Sequence, residues 1–123
     1  MKKGPIITIV VVLVLIAGAV FLAMMPDKPG RLDQFATCLK DKGAVFYGAF
    51  WCPHCREQKA MFGRSVQFLP YVECSTPDGQ GQLQTCTDKG VQSYPTWDFV
   101  NAERKVGTLS LEDLASTTQC QLP

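Results

Sequence analysis

The hydrophobic pattern divides the chain in two. Ile6 to Met25 is a run of 20 residues without a charged side chain. As a helix rising 1.5 Å per residue it covers about 30 Å, the hydrocarbon thickness of a bilayer. Beyond it the pattern shifts to shorter periods. Leu32, Phe35, Ala36 and Leu39 recur at helical spacing up to Gly43, a suitable stop. Ala44-Val45-Phe46-Tyr47-Gly48-Ala49-Phe50 is a short apolar run rich in aromatics and reads as a buried strand. Cys55, Phe62, Val66 and Leu69 then fall on one helical face, with Arg56, Glu57, Lys59 and Arg64 elsewhere. Gly63 interrupts this second helix and should bend or weaken it. Tyr71 to Cys74 reads as a strand, followed by a polar loop to Gln82 and a short helix from Leu83 to Lys89 closed by Gly90. Ser93 to Val100 reads as a strand opening on proline, and Lys105 to Leu109 pairs back as an edge strand. Ser110-Leu111-Glu112-Asp113 is a capping signature for a last helix, with Leu111, Leu114 and Ala115 facing inward.

Where the first strand meets the following helix stands Phe50-Trp51-Cys52-Pro53-His54-Cys55. Thiol–disulfide exchange needs one accessible thiolate and a second sulfur close enough to resolve the mixed disulfide. At a helix start, Cys52 meets free N–H groups and the positive end of the dipole. Pro53 suits the first helical position, where its missing N–H costs nothing. Cys55 lies nearly a turn further on and should be more buried. These positions make Cys52 the nucleophile and Cys55 the resolving thiol, with His54 favouring the thiolate. A zinc knuckle needs a second close Cys/His pair, and Cys74 and Cys86 are isolated from each other. Haem attachment needs histidine directly after the second cysteine, where Arg56 stands. No metal and no cofactor is therefore expected. A strand running into a helix with C-x-x-C at the junction is the redox motif of the thioredoxin fold. The order helix–strand–helix–strand–helix–strand–strand–helix is that α/β layout without its first strand, with helices on both faces of a central sheet.

Composition places this chemistry outside the cytoplasm. Six cysteines among 123 residues are too many for a reducing compartment, and the even count suits pairing. Lys2 and Lys3 precede the apolar run, while Asp27, Lys28, Arg31 and Asp33 follow it. That charge pattern puts the N-terminus in the cytoplasm and the remainder outside. The expected organisation is a cytoplasmic N-terminus over 1–5, a single-pass membrane anchor over 6–25, a linker over 26–30, and a folded domain over 31–123. Ala17-Gly18-Ala19 also fits a leader cleavage site, so a cleaved signal peptide stays open, at the cost of exposing Val20 to Met25. Lys plus Arg number 12 against 11 Asp plus Glu, and 10 against 11 without Lys2 and Lys3. Nucleic acid is not an expected partner, since it would require a basic stripe.

With these residues in view, the folded part resembles the thioredoxin-like domain found fused to or partnered with bacterial vitamin K epoxide reductase homologues. The resemblance covers most of Phe35 to Leu114. It is carried by Gly43-Ala44, Tyr47 to Cys55, Tyr71-Val72-Glu73-Cys74, Cys86 and Tyr94-Pro95-Thr96-Trp97. It implies a membrane-associated thiol–disulfide oxidoreductase acting on cysteine-containing proteins. It also implies a quinone-coupled partner resembling vitamin K epoxide reductase, on a separate chain because only one span is present here. The match further implies a cis Pro95 facing the cysteine pair and a Tyr94 backbone available to an extended substrate strand. Trp51 and Tyr94 are candidates to line an apolar groove beside it.

Cys74 and Cys86 bracket the polar loop, and the resemblance points to the same pair as a structural disulfide. Closing a loop of about a dozen residues stabilises by roughly 3 kcal/mol in the chain-entropy account. By exclusion Cys38 and Cys120 form the third bridge. That bridge sits awkwardly, because the first and last helices of a thioredoxin fold lie on opposite faces and the tail would have to wrap round an edge. One departure concerns proton transfer: Phe46 stands where thioredoxins keep a buried acid serving Cys55, which leaves Glu57 or water for that task.

The expected activity is donation of the Cys52–Cys55 disulfide to secreted or periplasmic proteins, because a histidine beside the nucleophile favours the reduced pair and makes the disulfide more oxidising. Two alternatives stand beside it. One is extracytoplasmic reduction in cytochrome or copper-site maturation. The other is a non-enzymatic binding module, which would need neither the intact Cys-Pro-His-Cys nor Pro95.

Overall fold

The computed structural model describes residues 4–26 and 28–123. The basic start at Lys2 and Lys3 and the linker residue Asp27 lie outside the described residues. Gly4–Ala23 forms α1, with mean hydropathy 3.2 over its most apolar window and no buried side chain. It is long and apolar enough to cross a membrane, and its length and composition fit an anchor and a signal sequence alike.

The folded part runs α2 (Asp33–Asp41), β1 (Val45–Gly48), α3 (Pro53–Ala60), a 3-10 segment (Gly63–Phe68), β2 (Tyr71–Glu73), α4 (Gln84–Asp88), β3 (Thr96–Asp98), β4 (Lys105–Val106) and α5 (Leu111–Thr118). The strands form one mixed sheet in the order β2-β1-β3-β4. β1 pairs parallel with β2, Gly48 opposite Glu73, and antiparallel with β3, Phe46 opposite Trp97. This is a mixed α/β, thioredoxin-like architecture.

Local chemistry accounts for the element ends. α2 stops at Gly43, whose φ of +76° is the left-handed value that glycine adopts without penalty. The Gly43 N–H bonds the Lys40 carbonyl and the Ala44 N–H bonds Leu39, the paired bonds of a Schellman motif. α5 starts at Ser110, whose side-chain oxygen accepts from the Asp113 N–H at 3.0 Å.

Alternation along β1 separates two apolar clusters. Phe46 stacks on Trp97 with centroids 4.8 Å apart, and both join Phe35, Leu39, Cys55, Phe62 and Leu114 on one face. Tyr47 points the other way, toward Cys74, Cys86 and Val91. Burying each large apolar side chain contributes about 1.5–3 kcal/mol. Gln58 lies inside the larger cluster with its polar atoms matched. Its Oε1 accepts from the Leu109 N–H (2.8 Å) and from Trp97 Nε1 (3.2 Å), and its Nε2 donates to the Leu109 carbonyl (3.0 Å).

Three expectations change. α3 does not continue to Leu69: it ends at Ala60, and Gly63, at φ +51°, opens the 3-10 segment. Three residues per turn alter the phase, so Val66 is 38% exposed and Ser65 takes the inward place, where its Oγ accepts from the Leu32 N–H at 2.9 Å. The strands expected over Ser93 to Val100 and Lys105 to Leu109 are only Thr96–Asp98, with Pro95 before it, and Lys105–Val106. The first and last helices do not lie on opposite faces: α2 and α5 share the Phe46–Trp97 cluster. Gln119, at φ +60°, ends α5 and leads directly to Cys120, which is bonded to Cys38 with Cα atoms 5.9 Å apart. The tail therefore has no edge to wrap round.

Candidate functional site

The site forms where the C-terminal ends of β1 and β2 meet the start of α3. Cys52 is the N-cap of α3 with extended backbone (φ −73°, ψ 121°), and Pro53 is the first helical residue. The Cys52 carbonyl accepts the first helical bond, from the Arg56 N–H at 3.1 Å. The Cys52 side chain makes no capping hydrogen bond to the first turn of α3. Cys52 and Cys55 carry free thiols. Across the site, the Tyr94–Pro95 peptide bond is cis. The Cys52 Sγ–H donates to the Tyr94 carbonyl at 3.6 Å.

Cys55 sits deeper, against β1. A side chain at Gly48 would place its Cβ 2.9 Å from Cys55 Sγ, so the sulfur occupies the space that glycine leaves. Burial pushes the Cys55 thiol up to about 12; a hydrogen bond from the Ala49 backbone and the Lys59 charge work the other way, while Cys52 adds to the rise. The two thiols therefore differ by environment: one stands at a helix start, the other is enclosed.

Trp51 and Tyr94 flank the pair edge to face, with centroids 6.0 Å apart. Both are tied to the loop that the Cys74–Cys86 disulfide closes. The Trp51 indole N–H donates to Ser75 Oγ at 2.9 Å, and Gln82 Nε2 donates to Tyr94 Oη at 2.6 Å. Cys74 and Cys86 are bonded with Cα atoms 5.6 Å apart. Phe50 and Trp51 remain about half exposed, at 51% and 47%.

His54 projects into solvent, with Nδ1 3.5 Å from Glu57 Oε2. Glu57 is thus engaged with His54 at the surface. The acid nearest the buried side of the site is Glu73. Its Oε1 accepts from the Phe50 N–H (3.2 Å) and the Ser75 N–H (2.9 Å), and its Oε2 from Tyr71 Oη (2.7 Å). Glu73 thereby fixes both the segment entering C-x-x-C and the loop beyond β2. In the sequence Glu73 carries no role of its own, and nothing in the local pattern marks Ser75, Gln82 or Gln58 for the site. An acid at the C-terminal end of a strand parallel to the one that leads into C-x-x-C is a usable signal, since open α/β sheets place their sites at those ends.

The fold and this dithiol site define a thioredoxin-like domain with a redox-type cysteine pair at a helix start. No family model matches the chain. It is 45% identical over 85 residues to Thiol-disulfide oxidoreductase LTO1 of Arabidopsis thaliana, a stretch covering 65% of this chain and 22% of that protein. It is 32% identical over 85 residues to Thioredoxin domain-containing protein 2 of Mus musculus, covering 63% of this chain and 16% of that protein. The domain is related to both, and the chain spans about a fifth of the length of these relatives.

Proposed function

We propose that the chain is a membrane-anchored, extracytoplasmic thiol–disulfide oxidoreductase that donates its Cys52–Cys55 disulfide to cysteine-containing secreted or periplasmic proteins. The observation carrying this reading is the placement of Cys52 at the start of α3, with its sulfur 3.6 Å from the Tyr94 carbonyl and half-exposed aromatics beside it. Cys52 itself is only 5% exposed, and the half-exposed Phe50 and Trp51 beside it offer the surface on which a macromolecular substrate would seat. A cleft of about 450 Å³ between Gly30, Met61, Gly63, Leu111 and Leu122 is lined by neither thiol. Thiol–disulfide oxidoreductase is also the activity for which the Arabidopsis relative is named.

In the proposed cycle a substrate thiolate attacks Cys52 Sγ, the Cys52–Cys55 bond breaks, and Cys55 leaves with the electron pair. A second substrate thiolate then attacks the substrate sulfur of the mixed disulfide, and Cys52 leaves as thiolate. The substrate loses two electrons and the protein gains two. A quinone-linked membrane protein resembling vitamin K epoxide reductase removes them. α1, retained as an anchor with its N-terminus in the cytoplasm, keeps the domain beside that partner.

The redox potential tests the direction. A value near −120 mV supports the donor, whereas one near −270 mV supports a reductase. The anchor is tested separately: the mature protein should stay with membranes through carbonate extraction, and a mature N-terminus at Val20 would overturn it.

A further inference from the structure

Phe46 leaves the core beneath Cys55 without an acid, yet the surroundings of that thiol are charged. The ring of Tyr71 and the sulfur of Cys55 converge on one point of β1, since a Cβ on Gly48 would lie 2.8 Å from Tyr71 Cε2 and 2.9 Å from Cys55 Sγ. Tyr71 packs edge-on against Phe46, with centroids 5.0 Å apart, and its hydroxyl is held by Glu73 at 2.7 Å. Lys59, four residues after Cys55 on α3 and hence on the same helical face, places Nζ 3.4 Å from the centroid of that ring. Lys59 is only partly exposed. The titratable groups around Cys55 are Cys52 and Lys59 from α3 and Tyr71 from β2, with Glu73 behind the phenol. Gly48 and Phe46, which β1 contributes, do not titrate.

We propose that Lys59, seated on the Tyr71 ring, is a positioning residue that holds a positive charge beside Cys55 and does the work of the absent buried acid by stabilising the thiolate rather than accepting its proton. The inference rests on the oxidoreductase reading and names how its resolving thiol is served. In resolution, Cys55 releases its proton to water and its thiolate attacks Cys52 Sγ of the mixed disulfide. The Cys55–Cys52 bond forms, the Cys52–substrate bond breaks, and the substrate leaves as thiolate with the electron pair. Donation runs the same step backwards, so Cys55 leaves as an anion beside the ammonium. Tyr71 fixes the ammonium through its ring, and Glu73 fixes Tyr71.

The test uses the full chain carrying Cys52→Ala, with Cys55 alkylation by iodoacetamide followed by mass spectrometry from neutral to alkaline pH. Lys59→Met and Lys59→Gln should lower the rate about three- to tenfold below the midpoint of the profile and move that midpoint up. Lys59→Arg should restore most of the rate, and added salt should shrink the difference. Thermal melts identify variants that remain folded. Tyr71→Phe keeps the ring that seats the ammonium and loses only the Glu73 contact, so its defect should be smaller than that of Lys59→Met. An unchanged profile in both Lys59→Met and Lys59→Gln overturns the proposal. So does a Tyr71→Phe defect as large as that of Lys59→Met, or an equal effect on Cys52 measured with Cys55→Ala. The alkylation needs no protein substrate, so a chain without exchange activity would refute the oxidoreductase reading and leave this result to stand or fall alone.

Discussion

The Cys52 thiol and the Tyr94 carbonyl, 42 residues apart in the chain, meet at 3.6 Å. α3 supplies the sulfur and the turn before β3 supplies the oxygen, so the reactive atom, in a residue 5% exposed, faces backbone. Cys55, 1% exposed, is enclosed against Gly48.

From that asymmetry, Cys55→Ala should accumulate mixed disulfides with substrate through Cys52, and Cys52→Ala should accumulate few or none. Non-reducing gels of the two variants compare them directly. Adducts on the Cys52→Ala protein would exchange the two roles.

His54 is 71% exposed and bonded to the remainder of the site through the helix backbone and Glu57, so its removal should leave the fold intact. On the role proposed for a histidine inside the motif, His54→Ala should make the pair more reducing. A glutathione equilibrium measures the change. A potential that does not move would end the role assigned to His54.

Gly48→Ala tests how tightly Cys55 is enclosed. The new Cβ would stand under 3 Å from both Cys55 Sγ and Tyr71 Cε2, so the helix or the ring must shift. The cost should be about 1–3 kcal/mol, as for other overfilled cores. Urea titration gives the value, and an unchanged midpoint would mean that the thiol is free to retreat.

Replacing Cys74 and Cys86 together by Ala should cost roughly 3 kcal/mol. It should also loosen the loop that holds Trp51 through Ser75 and Tyr94 through Gln82. Trp51 fluorescence and exchange rate should therefore both change. Loss of stability alone, with both of those unaltered, would show the loop to be independent of the site. The Cys38–Cys120 bridge closes a longer loop, with a sequence separation of 82, and contributes about 4.5 kcal/mol on the same account.

The raised Cys55 thiol predicts two alkaline trends. Resolution by Cys55 should accelerate about tenfold per pH unit up to about 12. The sign for stability follows from burial of the neutral form. The folded state keeps its proton to about 12 whereas the unfolded thiol loses its own near 8.5, so this contribution is whole below about pH 8.5 and is lost as pH rises to about 12. The reduced protein should therefore lose stability across that window relative to the oxidised protein, which has no thiol there. Parallel denaturation curves for the two forms would contradict it.

Much of the site was legible because its chemistry is local. A proline and two cysteines at a strand-to-helix junction, a serine three residues before Asp113 and a glycine after a helical period each act within a turn of chain, and neighbouring residues suffice to read them. The 20-residue apolar run needed only its length. What the tertiary structure alone decided depends on register between distant segments. Parallel pairing of β1 with β2 sets Glu73 opposite Gly48, and the Tyr71 ring that carries Lys59 meets Cys55 in the space that this glycine leaves. The break at Gly63 changes the helical phase, so Ser65 rather than Val66 turns inward. The shared face of α2 and α5, and with it the Cys38–Cys120 bond, follows from which side of Phe46 and Trp97 each helix covers. Periodicity records that a helix has an apolar face; it carries no information on which surface that face will meet.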